Sequence, residues 1–282
     1  QQPCGSRGTR EALENVTPPL RATWPRPPMP RPPRRVWFVR DLLGVACAVS
    51  TWVLVLGAAR ILLQELLLPS ADVAYCVANG AFFHLLATLG LVSHVRTMLT
   101  DPGSVVPGDP PLPDALSICP CCSCVRPEST HHCRVCRRCI RKMDHHCPWV
   151  NNCVDEDNQK SFVLFTMYIT LASLHLLLLL GLVVLRSHDG PIIFLFLVAL
   201  NGLLFASLMF GTQMFAICVG RTRMEQLRAK KRPWGKGSKW ANFKVIFGHR
   251  VSLDWLSPFA SPEPRRARLR KCEPERRLGN TM

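Results

Sequence analysis

Nine cysteines and four histidines lie between Cys119 and Cys153. One tetrahedral zinc ion takes four ligands, so part of this donor set is free for other chemistry. Cys119-x-x-Cys122, Cys133-x-x-Cys136 and Cys136-x-x-Cys139 have the spacing of knuckles in which two thiolates reach one ion from a tight turn. Cys121-x-x-Cys124 overlaps the first pair, and spacing does not choose between the two. Cys147 keeps different company: it directly follows Asp144-His145-His146 and precedes Pro148-Trp149. A free thiol has a pKa of about 8.5, so a neighbouring imidazole that takes its proton makes it a better nucleophile, and a carboxylate can orient that imidazole. Spacing alone leaves Cys147 and His146 equally open as further metal ligands.

Such a module needs a support, and the rest of the chain supplies a membrane. The chain has 282 residues, a formal net charge of +16 and a positive mean hydropathy, with charge and apolar residues segregated along its length. Four stretches carry no Asp, Glu, Lys or Arg: Leu42 to Ala59, Val73 to Val95, Phe162 to Leu185 and Ile192 to Gly220. Each reaches the roughly 18 residues of a spanning helix. Asn79 and His84 interrupt the second. Only Arg60 and Arg186 fall in the two short connections, and all other Lys and Arg lie in the two tails and the central loop. By the positive-inside rule all three basic segments, and with them both termini and the cysteines, face the cytosol. Cytosolic thiols are kept reduced, which favours metal binding and catalysis over a disulfide framework.

The chain divides into a tail at 1–41, helices 1 and 2 within 42–95, a linker and cysteine-rich module at 96–161 with its core at 116–161, helices 3 and 4 within 162–220, and a tail at 221–282. The first tail is basic and Pro-rich, reads as solvated, and has no apolar core before Leu42, so no cleavable signal peptide is expected. Asp101-Pro-Gly and VVPGDPPLPD form an irregular juxtamembrane linker. Arg221 to Arg232 can form a short amphipathic helix. Trp234, Trp240, Phe243, Phe247, Trp255 and Phe259, interspersed with Lys and Arg, suit a membrane interface. No nucleic-acid-binding signature accompanies the basic charge, so the lipid bilayer, and no nucleic acid, is the expected partner.

At KMDHHCPWVNNCV, FVLFTMYI, SHVRTMLTDPG and MFGTQ the chain resembles the Asp-His-His-Cys protein S-acyltransferases, and among them the Golgi members. The likeness extends from about Trp37 to Phe259. It implies an all-α polytopic membrane protein: four transmembrane helices with a cytosolic two-zinc cysteine-rich domain between helices 2 and 3. Aligning Arg126-Pro127 with the family pattern selects Cys119 and Cys122 as the first pair. One structural zinc is then implied at Cys119, Cys122, His132 and Cys139, and a second at Cys133, Cys136, His146 and Cys153. Cys147 becomes the acyl-accepting nucleophile, His145 its base and Asp144 the orienter of His145. The implied activity moves a palmitoyl group from acyl-CoA to cysteines of membrane-associated proteins on the cytosolic face of Golgi membranes. Arg137, Arg138, Arg141 and Lys142 are candidates to meet the CoA phosphates.

The chain departs from the pattern at Ser129, usually Arg, at Asp155, usually Gly, and at Thr222-Arg-Met-Glu225, which keeps part of a Thr-Thr-x-Glu element. A Gly at 155 would supply positive φ, so Asp155 is expected to strain the turn after Cys153. Two other readings compete: a catalytically weak or inactive membrane adaptor with a structural zinc module, and a RING-like membrane ubiquitin ligase. In the adaptor the tetrad is retained but disabled by the departures at Ser129 and Asp155, and the ligase does not need the Asp144 to Cys147 run.

Overall fold

The computed structural model describes residues 37–105, 115–127, 129–186, 189–228 and 238–260. The Pro/Arg-rich tail, most of VVPGDPPLPD, Trp234 and the chain beyond Ala260 lie outside these residues.

Among the described residues, four helices are long and apolar enough to cross a membrane. Helix α1 (Leu42–Ile61) starts where Asp41 accepts the Gly44 N–H at 2.8 Å, and runs on through a π-helical turn, Leu62–Leu67. The span therefore outlasts the apolar run ending at Ala59: Arg60 stays helical, donating to Gln64 one turn later at 3.0 Å. Helix α2 (Val73–Leu99) is capped by Asp72 and continues four residues past Val95. It stops at extended Thr100, just before Asp101-Pro102, where the proline disfavours helix at the residue preceding it. Helix α3 (Gln159–Leu180) begins earlier than Phe162, taking in Lys160, and ends at Gly181 rather than Leu185. Helix α4 (Gly190–Val219) has Pro191 in its first turn and closes on left-handed Gly220, φ 68°. Asn79 and His84 bond carbonyls of their own helix one turn back, Tyr75 at 2.8 Å and Gly80 at 2.7 Å, so neither interrupts α2.

Helix α3 packs most extensively against α2 and α4. The apolar core there includes Phe83, Leu86, Leu164, Tyr168, Leu176 and Leu195. Between α2 and α3 the cysteine-rich module forms three two-stranded antiparallel hairpins. These are β1 (Ala115–Ile118) with β2 (Val125–Pro127), β3 (Thr130–Cys133) with β4 (Arg138–Arg141), and β5 (His145–Cys147) with β6 (Asn152–Val154). The membrane part is all-helical as expected, whereas strands of three or four residues leave no periodicity to read. Two short helices follow α4: α5 (Arg223–Arg228), within the stretch expected to form an amphipathic helix, and α6 (Lys239–Phe247). Ile246 and Phe243 of α6 pack on Val163 and Ile217, and Asn242 lies against Gly220, so the C-terminal segment is seated on the ends of α3 and α4.

Three asparagines fasten the module to the helix ends. Asn152 is wholly buried; its amide nitrogen donates to the carbonyls of Thr97, Met98 and Thr100, which α2 leaves without helical partners, and its oxygen accepts from Trp37 Nε1 and the Cys153 N–H. Asn158 donates to the Cys153 carbonyl at 2.8 Å and accepts the Asp155 N–H at 2.9 Å. Asn151, in left-handed backbone at φ 45°, donates to the Val39 carbonyl and fits against Gly44, where a Cβ would come within 2.2 Å of its oxygen. His94 ties α1 and α2 to the turn after Cys147: Nε2 lies 2.8 Å from the Trp149 carbonyl oxygen, and Nδ1 accepts from Trp52 at 3.3 Å.

Removing one partner of a buried hydrogen bond leaves the others unsatisfied at about 1–3 kcal/mol each. Asn152→Ala is accordingly expected to destabilise the protein by about 2–4 kcal/mol. Thermal unfolding of detergent-solubilised protein reads this, and an unchanged unfolding temperature would show that helix packing alone holds the module.

Candidate active site and metal centres

The pleat of the hairpins sorts neighbouring residues. Successive side chains of a strand point to opposite faces, so adjacent donors cannot serve one centre. In β3, His132 stands opposite Cys139 of β4, while the next residue, Cys133, turns to the other side. In β5, His146 stands opposite Cys153 of β6, and His145 and Cys147, one residue either side, share the opposite face.

Two groups of four donors result, Cys119, Cys122, His132 and Cys139, and Cys133, Cys136, His146 and Cys153, with the ligand atoms of each within 4.8 Å of one another. These are the two sets implied by the family likeness. Zinc–sulfur and zinc–nitrogen bonds of about 2.3 and 2.0–2.1 Å set tetrahedral edges of ~3.5–3.8 Å. In the first group the Nδ1 of His132 lies 3.6 Å from Cys119 and 3.8 Å from Cys139, and the Cys122 and Cys139 sulfurs are 3.4 Å apart. In the second, the Nδ1 of His146 lies 3.7, 3.4 and 3.6 Å from Cys133, Cys136 and Cys153, with 3.5 Å between the Cys136 and Cys153 sulfurs. Soft donors at these separations fit zinc. Cys121, Cys124 and Cys147 belong to neither group.

On the other face of β5, His145 Nδ1 donates to Asp144 Oδ2 at 2.8 Å. Asp144 also accepts from the Gln213 side chain at 2.8 Å and from the backbone N–H of Arg223. Burial pushes the Asp144 carboxyl up, but its His145, Arg223 and Gln213 donors outweigh this and hold it below the usual carboxylate range. Burial likewise pulls the His145 imidazole down, and the Asp144 carboxylate and Cys147 thiol more than reverse that, raising it to about 9. Its Nε2 is buried without a hydrogen bond of ordinary geometry, and Cys147 lies close enough to influence its protonation. The arrangement can hold a proton taken from the thiol and stabilise the imidazolium that carries it.

Cys147 is buried among Val150, Val154, Phe162 and Phe165 and opens on one side into an apolar cavity of about 490 Å³. All four spans line it, through Val55, Phe83, Phe162, Leu176, Phe194 and Phe205 among others, with the Trp149 ring tilted against Phe205 at 5.7 Å.

The departures leave these distances intact. Asp155 is not among the residues with positive φ, so the expected strain does not arise; instead its carbonyl accepts the N–H groups of Asn158 and Gln159 as the chain enters α3. Thr222 and Glu225 form a reciprocal capping box, each side chain accepting the other's backbone N–H at 3.2 and 3.0 Å. The substituted position between them, Arg223, gives Asp144 only a backbone N–H, which any residue but proline supplies. Ser129 does take positive φ, 62°. Among the candidate CoA contacts, Arg138 lies over the Trp37 ring at 4.9 Å and Lys142 pairs with Glu156 at 3.4 Å, while Arg137 is exposed. Gln213, Gln159, Lys160 and His94 escape a spacing argument. Their signal was available: a polar residue inside or beside a spanning run, where burial demands a partner.

A family model described as DHHC palmitoyltransferase matches residues 113–230. Palmitoyltransferase ZDHHC3 of Homo sapiens is 48% identical over 266 residues, covering 86% of this chain and 89% of that protein. Palmitoyltransferase ZDHHC7 of Mus musculus is 46% identical over 261 residues, covering 84% and 85%. Palmitoyltransferase ZDHHC3-A of Danio rerio is 43% identical over 249 residues, covering 79% of each.

The His145 pKa makes stability depend on pH. A histidine raised from about 6.5 when unfolded contributes stability that is fully present below that value and lost as pH rises through its folded pKa. Asp144, lowered, contributes only above the ordinary carboxylate pKa and loses its share in acid. With the folded His145 value at about 9, the stability advantage of the parent over His145→Gln is expected to shrink by up to roughly 3 kcal/mol between pH 6.5 and 9. Thermal unfolding of both proteins across that range measures it; a constant difference would mean that His145 is not held protonated.

Proposed function

The chain belongs to the DHHC palmitoyltransferase family and is a protein S-acyltransferase, and from that premise we propose that Cys147 carries the acyl group, with His145 as its base and Asp144 as the orienter of His145. The observation that carries this reading is that Cys147 stands outside both metal groups, beside His145, with its sulfur at the wall of the apolar cavity.

In the first half-reaction His145 holds at Nε2 the proton it has taken from Cys147 while the sulfur attacks the acyl-CoA carbonyl carbon. A new carbon–sulfur bond forms, the bond to the CoA sulfur breaks, and His145 returns the proton to the departing thiolate. In the second, a cysteine of the protein substrate attacks acyl-Cys147 and releases its thiol. One thioester replaces another, so the site needs a thiolate and proximity rather than a driving force.

The cavity suits a long chain. Phe162 to Leu176 along α3 spans ~21 Å at 1.5 Å per residue. An extended palmitoyl chain, with C–C bonds of about 1.5 Å, covers ~19 Å. Each buried methylene contributes about 0.8 kcal/mol, so the apolar wall supplies the affinity. The two metal groups hold structural zinc: four protein ligands close each one and leave no position for substrate. The basic central loop and tails lie in the cytosol, where they meet the CoA phosphates and membrane-associated proteins with accessible cysteines. Likeness to Golgi members supports a multi-pass protein of Golgi membranes.

Cys147→Ser is expected to abolish both hydroxylamine-sensitive labelling by a fatty-acyl probe and transfer to co-expressed membrane proteins, while zinc content stays at the parental level. Parallel loss of zinc would return Cys147 to the ligands, and persistent labelling would move the thioester to another cysteine.

A further inference from the structure

Gln213 sits in a 30-residue apolar helix with 2% of its surface exposed, a costly place for an amide unless both its ends are bonded. Both are. Its Nε2 donates to Asp144 Oδ2 at 2.8 Å, and its Oε1 accepts from Gln159 Nε2 at 2.9 Å. Chemistry fixes the direction of this chain, because an ionised carboxylate can only accept. The NH2 of Gln213 must therefore face Asp144, its oxygen must face away, and Gln159 meets that oxygen with a donor. Gln159 is itself placed by its backbone N–H, which bonds the Asp155 carbonyl at 2.7 Å in the first turn of α3.

We propose that Gln213, oriented by Gln159, is a positioning residue that holds the Asp144 carboxylate in line with His145 and so links α3 and α4 to the reacting thiol. This rests on the assignment of Cys147 as nucleophile and His145 as base. Without Gln213, Oδ2 keeps one side-chain donor, His145, and Oδ1 the Arg223 N–H, so one restraint fewer opposes rotation of the carboxylate about its Cβ–Cγ bond. Gln213 does not line the acyl cavity, so its loss acts on the chemical step and not on acyl-CoA binding.

The test uses the purified full chain in nanodiscs with palmitoyl-CoA, following single-turnover formation of the hydroxylamine-sensitive Cys147 thioester in Gln213→Met, Gln159→Met and the double variant. Methionine matches glutamine in length, so a side chain needed only for packing would tolerate it. Gln213→Met should slow thioester formation about 10–100-fold, the range for losing a hydrogen bond to a charged group. The palmitoyl-CoA concentration giving half the maximal rate should stay within about twofold. Gln159→Met should slow it about 3–10-fold, and the double variant should be no slower than Gln213→Met, because Gln159 acts through Gln213. A parental rate in Gln213→Met, losses that multiply in the double variant, or a loss confined to half-saturation would each overturn the proposal. If Gln213→Met does not fold, Gln159→Met, half-buried at the start of its helix, decides alone: a parental rate overturns the proposal. A parent protein that forms no Cys147-dependent thioester would instead sink the assignment of Cys147.

Discussion

The pairing of His146 with Cys153 is the constraint on which the site depends. A strand presents alternate residues to opposite faces, so directing His146 toward Cys133, Cys136 and Cys153 necessarily turns His145 and Cys147 the other way, toward Asp144 and the apolar cavity. A slip of one residue would exchange the two faces, delivering His145 or Cys147 to the metal group and His146 to the membrane side. The strands have only three residues each, too few to hold a register by backbone bonds alone. A metal ion held by Cys133, Cys136, His146 and Cys153 would supply the missing stiffness.

The module must also keep its height and orientation relative to the spans. Asn152 does this with atoms the helix cannot satisfy by itself, the last carbonyls of α2, and Asn158 and His94 add bonds to α2 and to the turn after Cys147. From the opposite side Asp144 collects donors from α4 and from the first residue of α5. The buried carboxylate thus stays ionised and carries the proton-holding capacity of His145. Lys160 extends the same economy to the C-terminal segment: its buried ammonium donates to the carbonyls of Asp254 and Ala260, and Tyr168 donates to that of Leu256.

The departures from the family pattern illustrate what a sequence comparison can and cannot weigh. Arg223 replaces a residue whose contribution to the carboxylate here is a backbone N–H, so the side chain is free to vary. Asp155 occupies an ordinary backbone conformation and caps the entry to α3; its cost is burial, with Glu156 and Asp157 beside it raising its pKa further. Neither disturbs the Asp144 to Cys147 geometry.

Hydropathy and charge placement by themselves determined the four spans, because a membrane-length apolar run has few other uses and the bilayer punishes a charge within it. Ligand types and spacing determined that a metal-binding module lies between the second and third spans. Helix ends were less legible: Arg60, Arg96 and Lys160 carry charge yet remain helical because each side chain finds a partner or reaches the interface. What spacing left open, and the tertiary structure decided, is which adjacent side chains face the four-donor group and which face the cavity. His145, His146 and Cys147 offer equivalent donors in the sequence, and residue spacing carries no information about which face of a short strand is which. That choice follows from the register of β5 on β6, from Asn152 anchoring the hairpin to α2, and from Gln213, 69 positions away, meeting Asp144 only when α4 packs against α3.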